Sequence, residues 1–146
     1  MSDELRAAAR HMGLLGRSME RACADLSLAQ YRILSLVSTG DRRASHLADR
    51  LAVARPTVTA VVDGLVERGY LRREAVPGDR RSVSIVVTDA GRARLDEAES
   101  AMGARLASLL EAVTDKDAFL QGLAEIDTAI RAELQAKLDA ALAGRR

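Results

Sequence analysis

Two adjacent arginines, Arg80 and Arg81, follow directly on Pro77-Gly78-Asp79 in what reads as the tip of a short turn. A guanidinium presents five donors in a rigid fork and stays charged, so its chemistry is recognition of anions, phosphate above all. Asp79 is out of place beside a phosphate. Its position two residues before Arg81 predicts that it orients that guanidinium by a charge-assisted bond. The alternative is a solvated turn with a surface ion pair of little energetic weight. Upstream, Arg55, Thr57, Thr59, Ala60 and Asp63 fall on one side of a helical pattern, opposite Val58, Val62 and Leu65. Small side chains let a backbone lie deep in a groove, hydroxyls bond phosphate or base edges, and arginine reads guanine. These are binding chemistries, not bond-breaking ones.

The remaining composition narrows the field. No nucleophile–base pair, cleft carboxylate pair or phosphate-cradling glycine loop is visible, so neither an enzyme nor a cofactor is expected. A single cysteine excludes an internal disulfide and a multi-thiolate metal site. His11 and His46 are far apart in sequence and lack carboxylates at ligand spacing. The three aromatics, Tyr31, Tyr70 and Phe119, are too few for a stacking platform on single-stranded nucleic acid. Net charge is +1, unevenly spread. Residues 41–94 hold eleven Arg against seven acids, while residues 95–146 hold six bases against ten. One segment is thus suited to face an anion and another is not. No apolar run approaches the ~20 residues that span a bilayer. The N-terminus lacks a signal-peptide core, so a cytoplasmic location is expected.

The elements that would position the arginines follow from periodicity. Leu5, Ala8, Met12, Leu15, Met19 and Cys23 form one stripe of a first helix over 4–24. Ser27 can cap a second helix over 28–38. A short helix over about 43–51, a turn at Ala52-Val53-Ala54 and a longer helix from Pro56 to about Arg68 make a helix-turn-helix. Pro56 suits a first helical turn, and Gly69 a helix stop. Tyr70-Leu71 enters a strand, and Ser82 to Val87 alternates as the returning strand. Thr88 can cap a fifth helix reaching about Val113, and Thr114 or Asp115 a sixth reaching about Leu142. Phe119, Leu123, Ile126, Ile130, Leu134, Leu138 and Leu142 are spaced 4, 3, 4, 4, 4 and 4, a stripe too long for one small domain to cover easily. A second copy of the chain is the favoured cover, because two-fold dimers are the commonest oligomers. The fold class is therefore mostly α with a two-stranded β wing: a winged helix-turn-helix flanked by long N- and C-terminal helices.

Residues 26–94 resemble the winged helix-turn-helix of the MarR family of regulators. The family's Asp-any-Arg wing, hydrophobic strand and Leu/Val-Thr-x-x-Gly pattern is matched by Asp79-Arg80-Arg81, Ser82 to Val87, and Val87-Thr88-Asp89-Ala90-Gly91. The resemblance implies a recognition helix carrying Arg55, Thr57 and Thr59, and a wing with Asp79, Arg80 and Arg81 at the minor groove. It also implies dimerisation through residues 1–25 and 93–146, with 26–92 as the DNA-binding lobe. Ala60 and Gly64 depart from the longer, often basic side chains of many relatives, which thins direct base readout.

Other residues have two readings. Some relatives sense peroxide through a cysteine in the first helix, but Cys23 lies on the apolar stripe with no His or aromatic at helical spacing, where a small buried hydrophobe is expected. His11 and Tyr31 are the candidates for a ligand pocket between arms and lobe. Their plainer roles are an exposed histidine and a core tyrosine. The expected function is a homodimeric regulator, a ligand-responsive repressor on an inverted-repeat operator in double-stranded DNA, with no membrane partner. The competing function is a winged-helix module that binds an acidic protein surface instead.

Overall fold

The computed structural model describes residues 2–143 apart from 24, 41, 42, 52 and 77, and without the side chains of 44, 45, 79–82, 138 and 141–143. Among the described residues the elements run α1 (Asp3–Ala22), α2 (Leu28–Ser38), α3 (Ala44–Leu51), α4 (Arg55–Glu67), β1 (Leu71–Val76), β2 (Asp79–Val87), α5 (Asp89–Leu110) and α6 (Lys116–Ala143). The chain divides into two compact units, residues up to Ser108 and residues from Leu109 onward.

Helix boundaries follow local chemistry. Ser27 and Gln30 form a capping box: the Ser27 hydroxyl accepts from the Gln30 amide at 3.2 Å, and the Gln30 side chain accepts from the Ser27 amide at 3.0 Å. At the end of α4, Gly69 adopts φ +72°, its amide donates to Val66 O at 2.9 Å, and the Tyr70 amide donates to Leu65 O at 2.9 Å. This Schellman closure satisfies carbonyls the helix would otherwise leave open. Asp115 caps α6, its carboxylate accepting from the Ala118 amide at 2.9 Å.

The Thr-x-x-Gly segment has a tertiary explanation. The Thr88 hydroxyl donates to Gly69 O at 2.6 Å and accepts from the Gly91 amide at 3.0 Å. One side chain therefore caps α5 and ties its entry to the turn behind α4. At Gly91 a Cβ would sit 2.0 Å from the Tyr70 carbonyl oxygen, so only glycine permits this approach of α5 to the strand entry.

The first unit has an aliphatic core, as the shortage of aromatics requires. Leu26, Ile33, Leu34 and Val37 meet Leu47 and Ala48, then Val58, Val62 and Leu65, then Leu71, Ile85 and Val87, with Leu95 and Ala98 of α5 completing the cluster. Cys23 belongs to it at 1% exposure, so the end of the α1 stripe is closed. The other end is open: Leu5 and Met12 are 62% and 58% exposed, and no residue within α1 is buried.

The β-ribbon differs from expectation at its tip. β2 begins at Asp79, not Ser82, and pairs antiparallel with β1 from Leu71↔Val87 to Ala75↔Val83. The next pair is Val76↔Asp79, so residues 80–82 are extra backbone on the β2 side. Such a bulge bends the ribbon and increases its twist. Asp79 thus forms the last pair of the ribbon, and Arg80 and Arg81 lie within the irregularity on β2, not in the turn. The connection itself contains Gly78 at φ +82°, a conformation that favours glycine.

Candidate nucleic-acid interface

The two-sided character of α4 sets up the candidate surface. Val58, Val62 and Leu65 are buried, and their spacing puts them on one face. Arg55, Thr57, Thr59 and Ala60 are exposed. Thr57, Thr59 and Ala60 lie off the buried stripe, whereas Arg55, three residues before Val58, shares its helical phase and is exposed because it begins the helix. The N-cap is Ala54, which offers no side-chain hydrogen bond to the first turn. The helix start, with Pro56 in its first turn, thus presents backbone donors and the positive end of the helix dipole. An anion suits that position.

The threonines are not equivalent. Thr59 donates its hydroxyl to Arg55 O at 3.0 Å, one turn back. With its proton engaged, the oxygen is left to accept, for example from an amino group on a base edge. Thr57 lines a cavity of about 70 Å³ with Arg32, Ile33, Leu51, Val53 and Val61 among its other walls. Arg55 is exposed with no ion pair among the described residues.

Two ion pairs lie at the base of the wing, and the one between elements was not visible in the sequence. Arg73 of β1 donates from Nη2 to Oδ1 of Asp63 on α4. Arg72 pairs with Glu74 on its own strand. Both arginines are candidates for phosphate contact by charge alone, yet both are engaged by acids. No spacing rule could have joined residues ten positions apart across a helix, a turn and a strand. The wing residues Asp79, Arg80 and Arg81 are placed by their backbone in β2. Their side chains, and the expected Asp79–Arg81 bond, lie outside the described residues.

Behind the interface, arginines clasp the α1–α2 junction. Arg94 of α5, its side chain 15% exposed, donates to Cys23 O at 3.2 Å and pairs with Asp25 at 3.4 Å and with Glu97 at 2.6 Å. Arg68, the C-cap of α4, donates to Asp25 O at 2.8 Å, and its guanidinium carbon lies 4.9 Å from the centre of the Tyr70 ring. Asp25 is therefore held by both α4 and α5. Arg94 is the buried member of these pairs, while the Asp25 and Glu97 carboxylates are largely exposed.

Cys23 and Tyr31 sit at the same junction. Burial pushes the Cys23 thiol up, an effect that Arg94 opposes and Glu20 reinforces. A thiol in that setting stays protonated and is a poor nucleophile. Tyr31 donates to Glu99 Oε1 at 3.4 Å, and burial, then Glu99, raises its phenol. His11 lies exposed on α1 and makes no hydrogen bond or ion pair among the described residues. Neither His11 nor Tyr31 lines the 70 Å³ cavity or a cleft of about 390 Å³ bordered by Arg17, Glu20, Arg21, Asp25, Leu26 and Ser27. Among the described residues no three His, Cys, Asp or Glu are grouped to hold a metal ion, and no helix is long and apolar enough to cross a membrane.

Comparison with known proteins gives this arrangement relatives. Residues 24–82 match the sequence profile of the MarR family. The HTH-type transcriptional repressor YetL of Bacillus subtilis (strain 168) is 32% identical over 106 residues, 69% of this chain and 64% of that protein. The chain spans just under two thirds of YetL and about half of three further HTH-type regulators that it matches. A MarR-family transcriptional regulator from Rhodococcus sp. RHA1 superposes with a TM-score of 0.75 at 22% identity, covering 89% of this chain and 94% of that one. At that identity the likeness concerns the fold. The transcriptional repressor CouR, solved bound to a 23-mer DNA duplex, superposes with a TM-score of 0.70 at 31% identity, covering 83% of this chain and 89% of that one.

Proposed function

The chain belongs to the MarR family, and on that premise we propose that it is a homodimeric, sequence-specific DNA-binding repressor whose affinity is set by a small-molecule effector. The observation that carries this reading is the construction of α4. A buried Val58–Val62–Leu65 face anchors the helix and leaves Arg55, Thr57 and Thr59 exposed in its first two turns, and the β-ribbon bearing Asp79, Arg80 and Arg81 follows directly. Each protomer would seat α4 in a major groove and its wing in the adjacent minor groove, where a narrow groove favours arginine. Two-fold symmetry then requires an inverted-repeat operator with half-sites about 34–36 Å apart.

The dimer is formed by residues 1–25 and 93–146, leaving 26–92 as the DNA-binding lobe. Support comes from apolar side chains left uncovered in the single chain: Leu5 and Met12 on α1, and Leu120, Ile126 and Ile130 on α6. An effector acts by binding one arrangement of the two lobes better than the other, since only differential affinity shifts a population. His11 and Tyr31 are the residues assigned to that pocket, and the protein works in the cytoplasm.

One experiment tests the core of this reading. Purified protein is used to select duplexes from genomic fragments, and affinity for the recovered duplex is measured across a salt series. Six to ten neutralised phosphates give a log–log slope of roughly −5 to −9. A flat response would favour a module that docks on an acidic protein surface.

A further inference from the structure

Asp63 and Arg73 join the two DNA-facing elements of the proposed interface. Asp63 lies one turn beyond Thr59 on α4, and the Arg73 guanidinium reaches it from β1. The side chains are 48% and 44% exposed, so the pair adds little to fold stability. An acid so close to the groove also opposes phosphate. Its partner's charge, in turn, is cancelled before DNA arrives. Arg72 offers a contrast, because its partner Glu74 is on the same strand and that pair connects no second element. The Asp63–Arg73 pair joins α4 to β1.

We infer that Asp63 is a specificity residue: it withholds Arg73 from indiscriminate phosphate contact and holds the wing strand at a set spacing from α4. The inference rests on the DNA-binding reading above. Binding to arbitrary sequence is driven by cations free to displace counter-ions from the backbone, and a guanidinium held by its own carboxylate contributes little to that process. Operator binding also depends on helix and wing arriving together at the correct separation, and a fixed strand reduces the ordering needed on contact. Loss of Asp63 should therefore help random sequence by freeing a cation. On the operator the same gain is offset by the loss of preorganisation. The consequence is a lower ratio of specific to non-specific affinity, even as overall affinity rises.

The test uses the full chain, its selected operator and a scrambled duplex of equal length, titrated at several potassium chloride concentrations. Asp63→Asn should bind scrambled duplex roughly fivefold tighter or more at low salt, with a slope steeper by about one to two units per dimer. Operator affinity should change less. Asp63→Glu should restore the wild-type ratio by restoring a carboxylate. Arg73→Gln should weaken scrambled-duplex binding, because Asp63 is then unpaired beside phosphate, and adding Asp63→Asn to it should change the salt slope less than in the wild-type background. An unchanged slope and scrambled-duplex affinity in Asp63→Asn, with wild type binding its operator, would overturn the inference. Equal gains on both duplexes would overturn it too, leaving Asp63 as a charge and nothing more. A wild type that binds neither duplex overturns the DNA-binding reading itself.

Discussion

The inner face of α4 and the apolar stripes of α1 and α6 share the same helical periodicity but differ in cover. Val58 and Leu65 are fully buried, whereas Leu5 and Met12 on α1 and Ile126 and Ile130 on α6 stand about half exposed or more. Equal patterns thus have unequal outcomes. The first is closed by α2, α3 and the ribbon of its own chain. The others present apolar area that a soluble protein seldom leaves open in large contiguous patches. The α1 stripe contains both regimes, since Cys23 at one end is buried while Leu5 at the other is not. Periodicity reports that a face seeks cover; it does not report whose surface provides it.

The largest expected effect breaks the proposed intermolecular cover. Ile130→Asp or Leu134→Asp places a charge in an apolar seam and should abolish the dimer, leaving monomer or unfolded chain in sedimentation at micromolar concentration. A wild type that sediments as a stable monomer under those conditions would remove the basis of the contrast. Within the closed region, Leu65→Ala should destabilise by about 2–5 kcal/mol through lost burial and a residual cavity. Urea titration by circular dichroism would measure it.

Gly91→Ala tests a close approach within the first unit. Its Cβ would overlap the Tyr70 carbonyl oxygen, and α5 must shift to admit it. A loss of about 1–3 kcal/mol is expected, as for other forced overpacking, read from the thermal midpoint. A midpoint equal to wild type would mean that α5 and the strand entry part easily.

For the wing the proposed cover is DNA. Arg81→Ala should weaken operator binding by ~1–3 kcal/mol per wing. Asp79→Ala should weaken it as well, although removing an acid near phosphate ought to help by charge counting. If Asp79 orients Arg81, the double variant resembles Arg81→Ala alone, because coupled residues are non-additive. Tighter binding by Asp79→Ala, in titrations at fixed salt, would eliminate the orienting role.

The smallest effect concerns the closed end of the α1 stripe. Folding holds the Cys23 thiol and the Tyr31 phenol above their ordinary values of 9.0 and 10.0. A raised folded value means that the native state keeps its proton longer than the unfolded chain. The associated stability is complete below pH 9.0 and is lost as pH rises through the folded value. Stability should decline above that point, and less so in Cys23→Ser. That variant should also leave any response of DNA binding to peroxide unchanged. A Cys23→Ser protein whose DNA release by peroxide disappears would establish the thiol as a sensor.

Local chemistry made much of this molecule legible in the amino-acid sequence. Ser27, Gly69, Thr88 and Asp115 marked helix ends because capping is decided by a few neighbouring residues and their backbone groups. The valines and leucine facing inward from α4 were legible because side-chain direction repeats with the helical turn. The exposure of Thr57 and Thr59 followed from the same geometry, whereas Arg55 shares the phase of Val58 and Val62 and is exposed because it begins the helix. Other features depended on which distant segments meet. The strand start at Asp79 was missed because a bulge depends on the partner strand's register and not on residue type. The necessity of Gly91 comes from a carbonyl twenty-one residues earlier, and the engagement of Arg73 from a carboxylate on another element. Caps and periodicity are properties of neighbours along the chain, whereas close approach and charge pairing are properties of neighbours in space.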